Sequence, residues 1–444
     1  MMLKTLEYKF NVNTLPLIAF VGFIVVVATF FILNVSSLSV FSLVALTAPI
    51  WLPGITFLIF FEAWMEYVHK KFNLAQGRTT LEIKLPPDVF KSPEAMELVL
   101  TQLHQTASPD NHVQTYIDGK MPPTYSLELV SRGGDVRFYI NLPKKKFKNL
   151  AETQLYAQYP GVEVKELDID YTAEIPWDKK KYSYFSLHFG LKKADAYPIK
   201  TYIEFGLDKM PKEEEKIDPI TGMLEALGSI GPGEWYWVQI LITANRETDF
   251  KTGSLSTKGD WKKDAKKEIV KIIADANARL GIKEDKVKGT TLSMMNLTDA
   301  ERKTIDAIQR SLGKNAFDTA IRGMYIGTAQ AFNPGERIGA LITGWRNYDD
   351  LNRNAIGPRW RTDVDWPWWE DRSGHKREHM KKHELAAYKR REYHPEGKAD
   401  TPKVMTVEEL ATIFHLPGKV AGTPTLARIP SKRGEAPSNL PVGI

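Results

Sequence analysis

The sequence predicts an α+β protein: an N-terminal transmembrane helical hairpin, two ferredoxin-like (split βαβ) units, and a helical and extended C-terminal tail. Three observations carry this expectation. Residues 10–61 contain no Asp, Glu, Lys or Arg. Downstream segments alternate apolar and charged residues with period two, as half-buried strands do. Helical patterns fall between those strands in the order of a split βαβ motif.

The chain has 444 residues, 43% hydrophobic and 26% charged, with a net charge of +6. At about 150 residues per domain this allows two to four folded units. The composition excludes a collagen-like chain, a wholly disordered chain and a polytopic transporter. With no cysteine, the chain has no disulfide framework, thiolate metal site or cysteine nucleophile.

Within the charge-free stretch, Leu15 to Leu33 and Ser39 to Phe61 form apolar runs of 19 and 23 residues. A helix crosses the hydrocarbon core with about 20. Lys4 and Lys9 precede the first run and Lys70, Lys71 and Arg78 follow the second, while the turn between the runs is uncharged. Positive-inside bias then places both ends in the cytoplasm, below the inner membrane. Pro49 and Pro53 leave a re-entrant second segment as an alternative. A helical stripe through Trp64, Met65, Val68 and Phe72 extends the anchor to residue 76.

Residues 77–172 form the first unit. Leu81, Ile83 and Leu85 alternate with charged neighbours, and Ser92-Pro93 opens a helix carrying Met96, Val99, Leu100 and Leu103. Alternating runs on either side of Gly133-Gly134 make a hairpin, Lys146 to Tyr159 a helix, and Val162 and Val164 a last strand. The outer sheet face, with Glu82, Lys84, Glu128, Arg137 and Tyr139, has too few aromatics to stack RNA bases.

The second unit covers 173–350. Phe185 to Leu191 alternates as a strand, and Asp218-Pro219 opens a helix. Trp235 to Thr243 is apolar on both faces, as in a central strand. Two inserted helices follow, Trp261 to Leu280 with a lysine-rich outer face and one opened by the capping box Thr298 to Glu301. Phe317 to Ile326 returns as strand and Gly335 to Tyr348 as helix.

Signatures of chemistry are scarce. The sequence has no G-x-x-x-x-G-K-[ST], no H-E-x-x-H and no G-x-S-x-G, so no catalytic, cofactor or metal residue is assigned. Glu213 to Glu215 reads as a solvated loop tip. His375, His379 and His383 have metal-ligand spacing but stand among repelling cations. Asp363 and Asp365 match a D-x-D pattern, beside Trp360, Trp366, Trp368 and Trp369, which read better as an aromatic docking cluster. These lie in a Trp-rich and basic segment, 351–400. Lys376, Arg377, Lys381, Lys382, Lys389, Arg390 and Arg391 form its basic helix, a candidate nucleic-acid contact or a solvated face.

Residues 401–444 hold a helix opened by the capping box Thr406 to Glu409 and ended by Pro417-Gly418, then an aperiodic segment rich in Pro, Gly and basic residues. Here a resemblance enters, carried by YPIKTY (197–202), GLDK (206–209), DPIT (218–221), ELATIFHLPG (409–418) and TPTLARIPSKRGEAPSNLP (423–441). From about Phe61 to Pro441 the chain resembles a family of uncharacterised bacterial membrane-anchored proteins. That family is similar to the N-terminal region of type IV secretion and conjugation coupling ATPases of the HerA and FtsK kind. In many relatives the last word leads into a motor domain, whereas this sequence ends at Ile444.

The resemblance implies a membrane-anchored, non-enzymatic scaffold that docks a separate HerA/FtsK-type ATPase, with a homo-oligomer compatible and no small-molecule substrate. Glu409, Leu410, Phe414, His415 and Leu416, with Arg428, Lys432 and Arg433, are the expected docking residues. A membrane-tethered nucleic-acid-binding protein, contacting DNA, is the first alternative. A metal-dependent enzyme at the membrane face, using Asp363 and Asp365, is the second.

Overall fold

The computed structural model describes residues 37–86, 91–209, 217–255, 257–279, 296–363, 371, 373–395 and 400–418. Its centre is one antiparallel sheet of nine strands. They are β1 (Arg78–Lys84), β2 (Thr124–Arg132), β3 (Asp135–Pro143), β4 (Glu163–Glu166), β5 (Tyr182–Leu191), β6 (Glu234–Ala244), β7 (Ala316–Thr328), β8 (Ile356–Arg361) and β9 (Lys403–Thr406). The spatial order is β4-β1-β3-β2-β6-β7-β5-β8, and β9 pairs with β7 beyond the end of β5.

Each half of that order runs fourth, first, third, second, and the halves meet where β2 pairs with β6 from Thr124↔Thr243 to Arg132↔Trp235. The expectation of two separate ferredoxin-like units is therefore corrected to one continuous sheet with a pseudo-twofold seam. The second strand of such a unit is an open edge, and an unpaired edge recruits another strand. Here each half supplies the other's partner. Residues beyond 350, read as a separate segment, contribute β8 and β9 to the same sheet. Pro358 in β8 and the short, charged β4 blunt the outer edges.

One face carries α2 (Glu94–Leu103), α4 (Lys144–Gln158), α5 (Ile220–Gly228), α8 (Pro334–Thr343) and α10 (Val407–Ile413). Their apolar stripes meet the inward residues of the strands in a single core, including Leu81, Phe138, Ile240, Phe317, Leu410 and Phe414. A short α3 (His112–Tyr116) precedes β2. Gly133 and Gly134, at φ 58° and 94°, make the two-residue turn between β2 and β3. Both expected capping boxes form, Thr298 with Glu301 and Thr406 with Glu409. The first opens α7 (Asp299–Leu312), which packs with α6 (Trp261–Arg279) around Trp261, Ala265 and Ile308.

The opposite face is covered by α9 (His375–Arg390), whose Leu385 and Tyr388 pack on Trp235, Trp237 and Met324. Of the residues read as the outer sheet face, Glu82, Glu128 and Tyr139 are buried, while Arg137 is exposed. Alternation shows that a face is polar but cannot show whether a helix lies over it.

The transmembrane hairpin is corrected as well. Among the described residues no helix is long and apolar enough to cross a membrane. The second apolar run is the front of one 40-residue helix, α1 (Ser37–Gln76), with Pro49 and Pro53 inside it. As the stripe through Trp64, Met65, Val68 and Phe72 predicts, the helix continues past Phe61 to Gln76, and its later turns dock on the body through Phe61, Met65 and Val68. Gly119 permits this approach, because a Cβ there would meet the Val68 carbonyl at 2.5 Å. The first run, Leu15 to Leu33, lies outside the described residues.

Candidate functional site

The register places one residue from each of eight strands in a single cross-sheet row, Lys165, Glu82, Tyr139, Glu128, Gln239, Arg322, His188 and Trp360. At 4.7–4.9 Å per strand the row spans roughly 34 Å. Its central members, Glu128, Gln239, Arg322 and His188, are each 0% exposed. Four polar side chains side by side beneath a helix are costly unless each is paired.

The pairing is extensive. Gln239 Nε2 donates to Glu128 Oε1 at 2.9 Å, and Arg322 Nε donates to Gln239 Oε1 at 2.7 Å. Arg391, at the end of α9, donates from Nε and Nη2 to the two Glu128 oxygens at 3.0 and 3.1 Å. Its Nη2 also reaches Asp170 at 2.8 Å. The Tyr171 hydroxyl donates to Glu128 Oε2 at 2.7 Å and stands 3.0 Å from that of Tyr388. Arg322 Nη2 donates to the Ala387 carbonyl at 2.9 Å, and its guanidinium lies over the Tyr388 ring.

At the other end, His188 Nδ1 lies 2.8 Å from Asp400 Oδ2 and Nε2 lies 2.9 Å from Glu384 Oε2. A neutral imidazole has one N–H, so two carboxylates on its two nitrogens call for the imidazolium. Burial lowers the His188 pKa, but Asp400 and Glu384 outweigh burial and raise it. Burial raises the Glu384 pKa, and His188 and Arg322 more than reverse that. For Arg391 burial lowers the pKa, while Glu128 and Tyr171 carry it well above the usual value. Trp360 and Tyr393 place their rings 4.5 and 4.7 Å from the imidazole, and Tyr393 donates to Asp400 Oδ1 at 2.6 Å. The array fastens three segments distant in sequence to one sheet face: the Asp170 turn, α9 and the Asp400 region.

A second set of buried charges holds the C-terminal helix on the opposite face. Glu408 accepts from Thr201 Oγ1 at 2.6 Å and from Arg310 Nε at 3.1 Å. Glu409 accepts from the Ile199 amide at 3.1 Å and the Thr406 amide at 2.8 Å, and burial pushes its carboxyl up to about 7. His415 Nε2 lies 3.1 Å from Asp218 Oδ1, and Nδ1 lies 2.9 Å from the Ala411 carbonyl.

These positions correct the expected docking surface. Leu410 and Phe414 are 0% exposed, Leu416 is 1%, and Glu409 and His415 are 2%. They are core of this chain, with the Phe414 ring 5.8 Å from that of Phe138, and they offer nothing to a partner. A short amphipathic helix reads alike whether its apolar stripe meets its own core or another chain. Arg428, Lys432 and Arg433 lie outside the described residues.

The basic helix is divided in use. Arg391 is buried in the array, Lys389 donates to the Ile175 carbonyl at 2.7 Å, Arg390 pairs with Glu392, and Arg377 lies 3.5 Å from Asp363. Lys382 is exposed, and Lys376 and Lys381 are half-buried. A uniform cationic face for nucleic acid is therefore corrected to a smaller set. His375 and His379 are exposed and His383 half-buried, and no group able to hold a metal is found among the described residues. Glu213 to Glu215, Asp365, Trp366, Trp368 and Trp369 lie outside them.

The sequence pointed to neither His188 nor Arg322, Gln239, Glu384 or Asp400. The available signal was one strongly polar residue near the middle of β5, β6 and β7, interrupting otherwise apolar strands. Fold and site together define a single-sheet α+β body stapled by buried ion pairs. A family model described as a domain of unknown function, DUF8128, matches residues 66–428, and the chain belongs to that family. No curated protein and no solved structure matches the chain.

Proposed function

We propose that this chain is a non-enzymatic assembly component of a type IV secretion-like apparatus, a rigid mount for a HerA/FtsK-type ATPase carried on another chain. The observation that supports this reading most is the mutual pairing of the buried array. Its acids and bases are held by one another, away from solvent, with Arg322 Nη1 lacking a hydrogen bond but lying 3.7 Å from Glu384. Catalytic acids and bases need a reacting atom within reach, whereas a staple needs what these residues have.

The mount is placed at the end of the described chain. Because α10 is locked into the core, the described body ends at Gly418 on a fixed attachment point. Docking then falls to the residues Arg428, Lys432 and Arg433 of the segment that follows. The test is gentle detergent purification from native cells of the chain and of an Arg428→Glu, Lys432→Glu, Arg433→Glu variant, with identification of the accompanying proteins. The variant should lose the ATPase while keeping its unfolding midpoint. An ATPase retained in full overturns the docking role, and one absent from both preparations overturns the proposed class.

A further inference from the structure

A cavity of about 640 Å³ opens between α1 and the sheet face that carries α9. One wall is α1, where Phe61, Met65, His69 and Asn73 recur every fourth residue and so share one helical face. That face is graded, apolar at Phe61 and Met65 and polar at His69 and Asn73. The sheet supplies Leu241 and Thr243 opposite, and the segment after β6 supplies Arg246. The size falls within the range of small-molecule sites.

Arg246 is the anomaly. Its Nη1 is buried with no hydrogen-bond partner among the described residues, as is that of Arg322, but the Arg322 guanidinium keeps Gln239, the Ala387 carbonyl and, at 3.7 Å, Glu384 around it. Burial alone lowers its pKa, with no carboxylate opposing among those residues, and His69 is lowered by burial and then by the Arg246 charge. Four acids line the walls: Glu66 pairs with Lys70, Asp318 with Lys258 and Glu392 with Arg390, and Glu62 is not free either. Two basic groups thus lie together on the polar side of a cavity whose other end is lined by Phe61, Met65 and Leu255. Beyond that end, Phe57 and Phe60 of α1 are exposed at 53% and 59%.

We infer that this cavity binds a single-chain anionic amphiphile, its oxyanion head between Arg246 and His69 and its apolar chain along Phe61, Met65 and Leu255. An oxyanion would satisfy the orphaned guanidinium nitrogen, and charge-assisted bonds to arginine are the strong ones. The graded face of α1 sets the direction of the chain. A fatty acid and a lysophosphatidate share this chemistry.

The test uses the full chain in a non-ionic detergent, so that uncharged tails compete in every arm, and a photoactivatable fatty acid as probe. Label should map to peptides holding Met65 or Leu255, and oleate or lysophosphatidate should displace it, the stronger competitor naming the head. Arg246→Gln should lower labelling on the order of tenfold, while Arg246→Lys retains most of it. If Arg246→Gln fails to fold, Met121→Trp, which narrows the cavity from another wall, should also abolish labelling. Label spread evenly along the chain, label unchanged in a folded variant, or displacement by inorganic phosphate as effective as by oleate would each overturn the inference.

Discussion

His188→Gln removes the imidazolium from between two carboxylates that are themselves nearly inaccessible, Glu384 at 1% and Asp400 at 4% exposure. Glutamine has one amide, so it can donate to one of them at most as the ring did. Taking one partner from a buried ion pair costs about 3–5 kcal/mol, against about 5–15 kcal/mol for a whole fold. With a urea slope of about 3 kcal/mol/M, the denaturation midpoint should fall by about 1 M or more. The pH dependence carries a separate signature. The folded pKa of His188 is raised, so its contribution is complete below the unfolded value near 6.5 and is lost as pH rises through the folded pKa. Glu384 has a depressed folded pKa, so its contribution holds above the unfolded value near 4.5 and fails only as pH falls through the folded pKa. Urea midpoints of the parent should therefore decline from pH 6 to pH 9, and those of His188→Gln should decline less, the remainder coming from Glu409 and His415, whose pKa values are also raised. Midpoints within about 0.2 M of the parent, or an unchanged pH dependence, would refute the reading of His188 as an imidazolium staple.

Burial and contact give three further expected outcomes. Phe414→Ala should cost about 3–5 kcal/mol in urea unfolding, because the ring is core; a cost below 1 kcal/mol would return it to the surface. Arg391→Ala should cost about 3–5 kcal/mol and Lys382→Ala less than about 0.5 kcal/mol in the same assay, although the two residues belong to one basic run. Gly119→Ala should loosen α1 from the body, read as faster amide exchange across Phe61 to Phe72, because its Cβ would strike the Val68 carbonyl and its φ is +66°.

How far the sequence reaches depends on what each feature requires. The Gly133-Gly134 turn and the capping boxes at Thr298 and Thr406 were legible because local backbone chemistry decides them. The joining of both halves through β2 and β6 was not, because strand alternation fixes which face is apolar and leaves the neighbouring strand open. His188 and Arg322 meet only through register across strands more than a hundred residues apart, which no spacing in the chain announces. The docking assignment of Leu410 and Phe414 failed for a related reason: an apolar stripe states that it will be buried, not by what. Pro49 and Pro53 carried a warning about the second apolar run, and α1 passes through both.

If the chain is a mount, the segment from residue 419 onward, beyond the described body, holds the motor. The decisive comparison sets the full chain beside one cut after Gly418, recording urea midpoint and retained ATPase in the same preparations. A cut after Asp400 would not serve, since it removes β9 and α10 from the sheet and core. Equal midpoints are expected, with the ATPase present only beside the full chain. An ATPase retained in equal amount by the chain cut after Gly418 would overturn the mount.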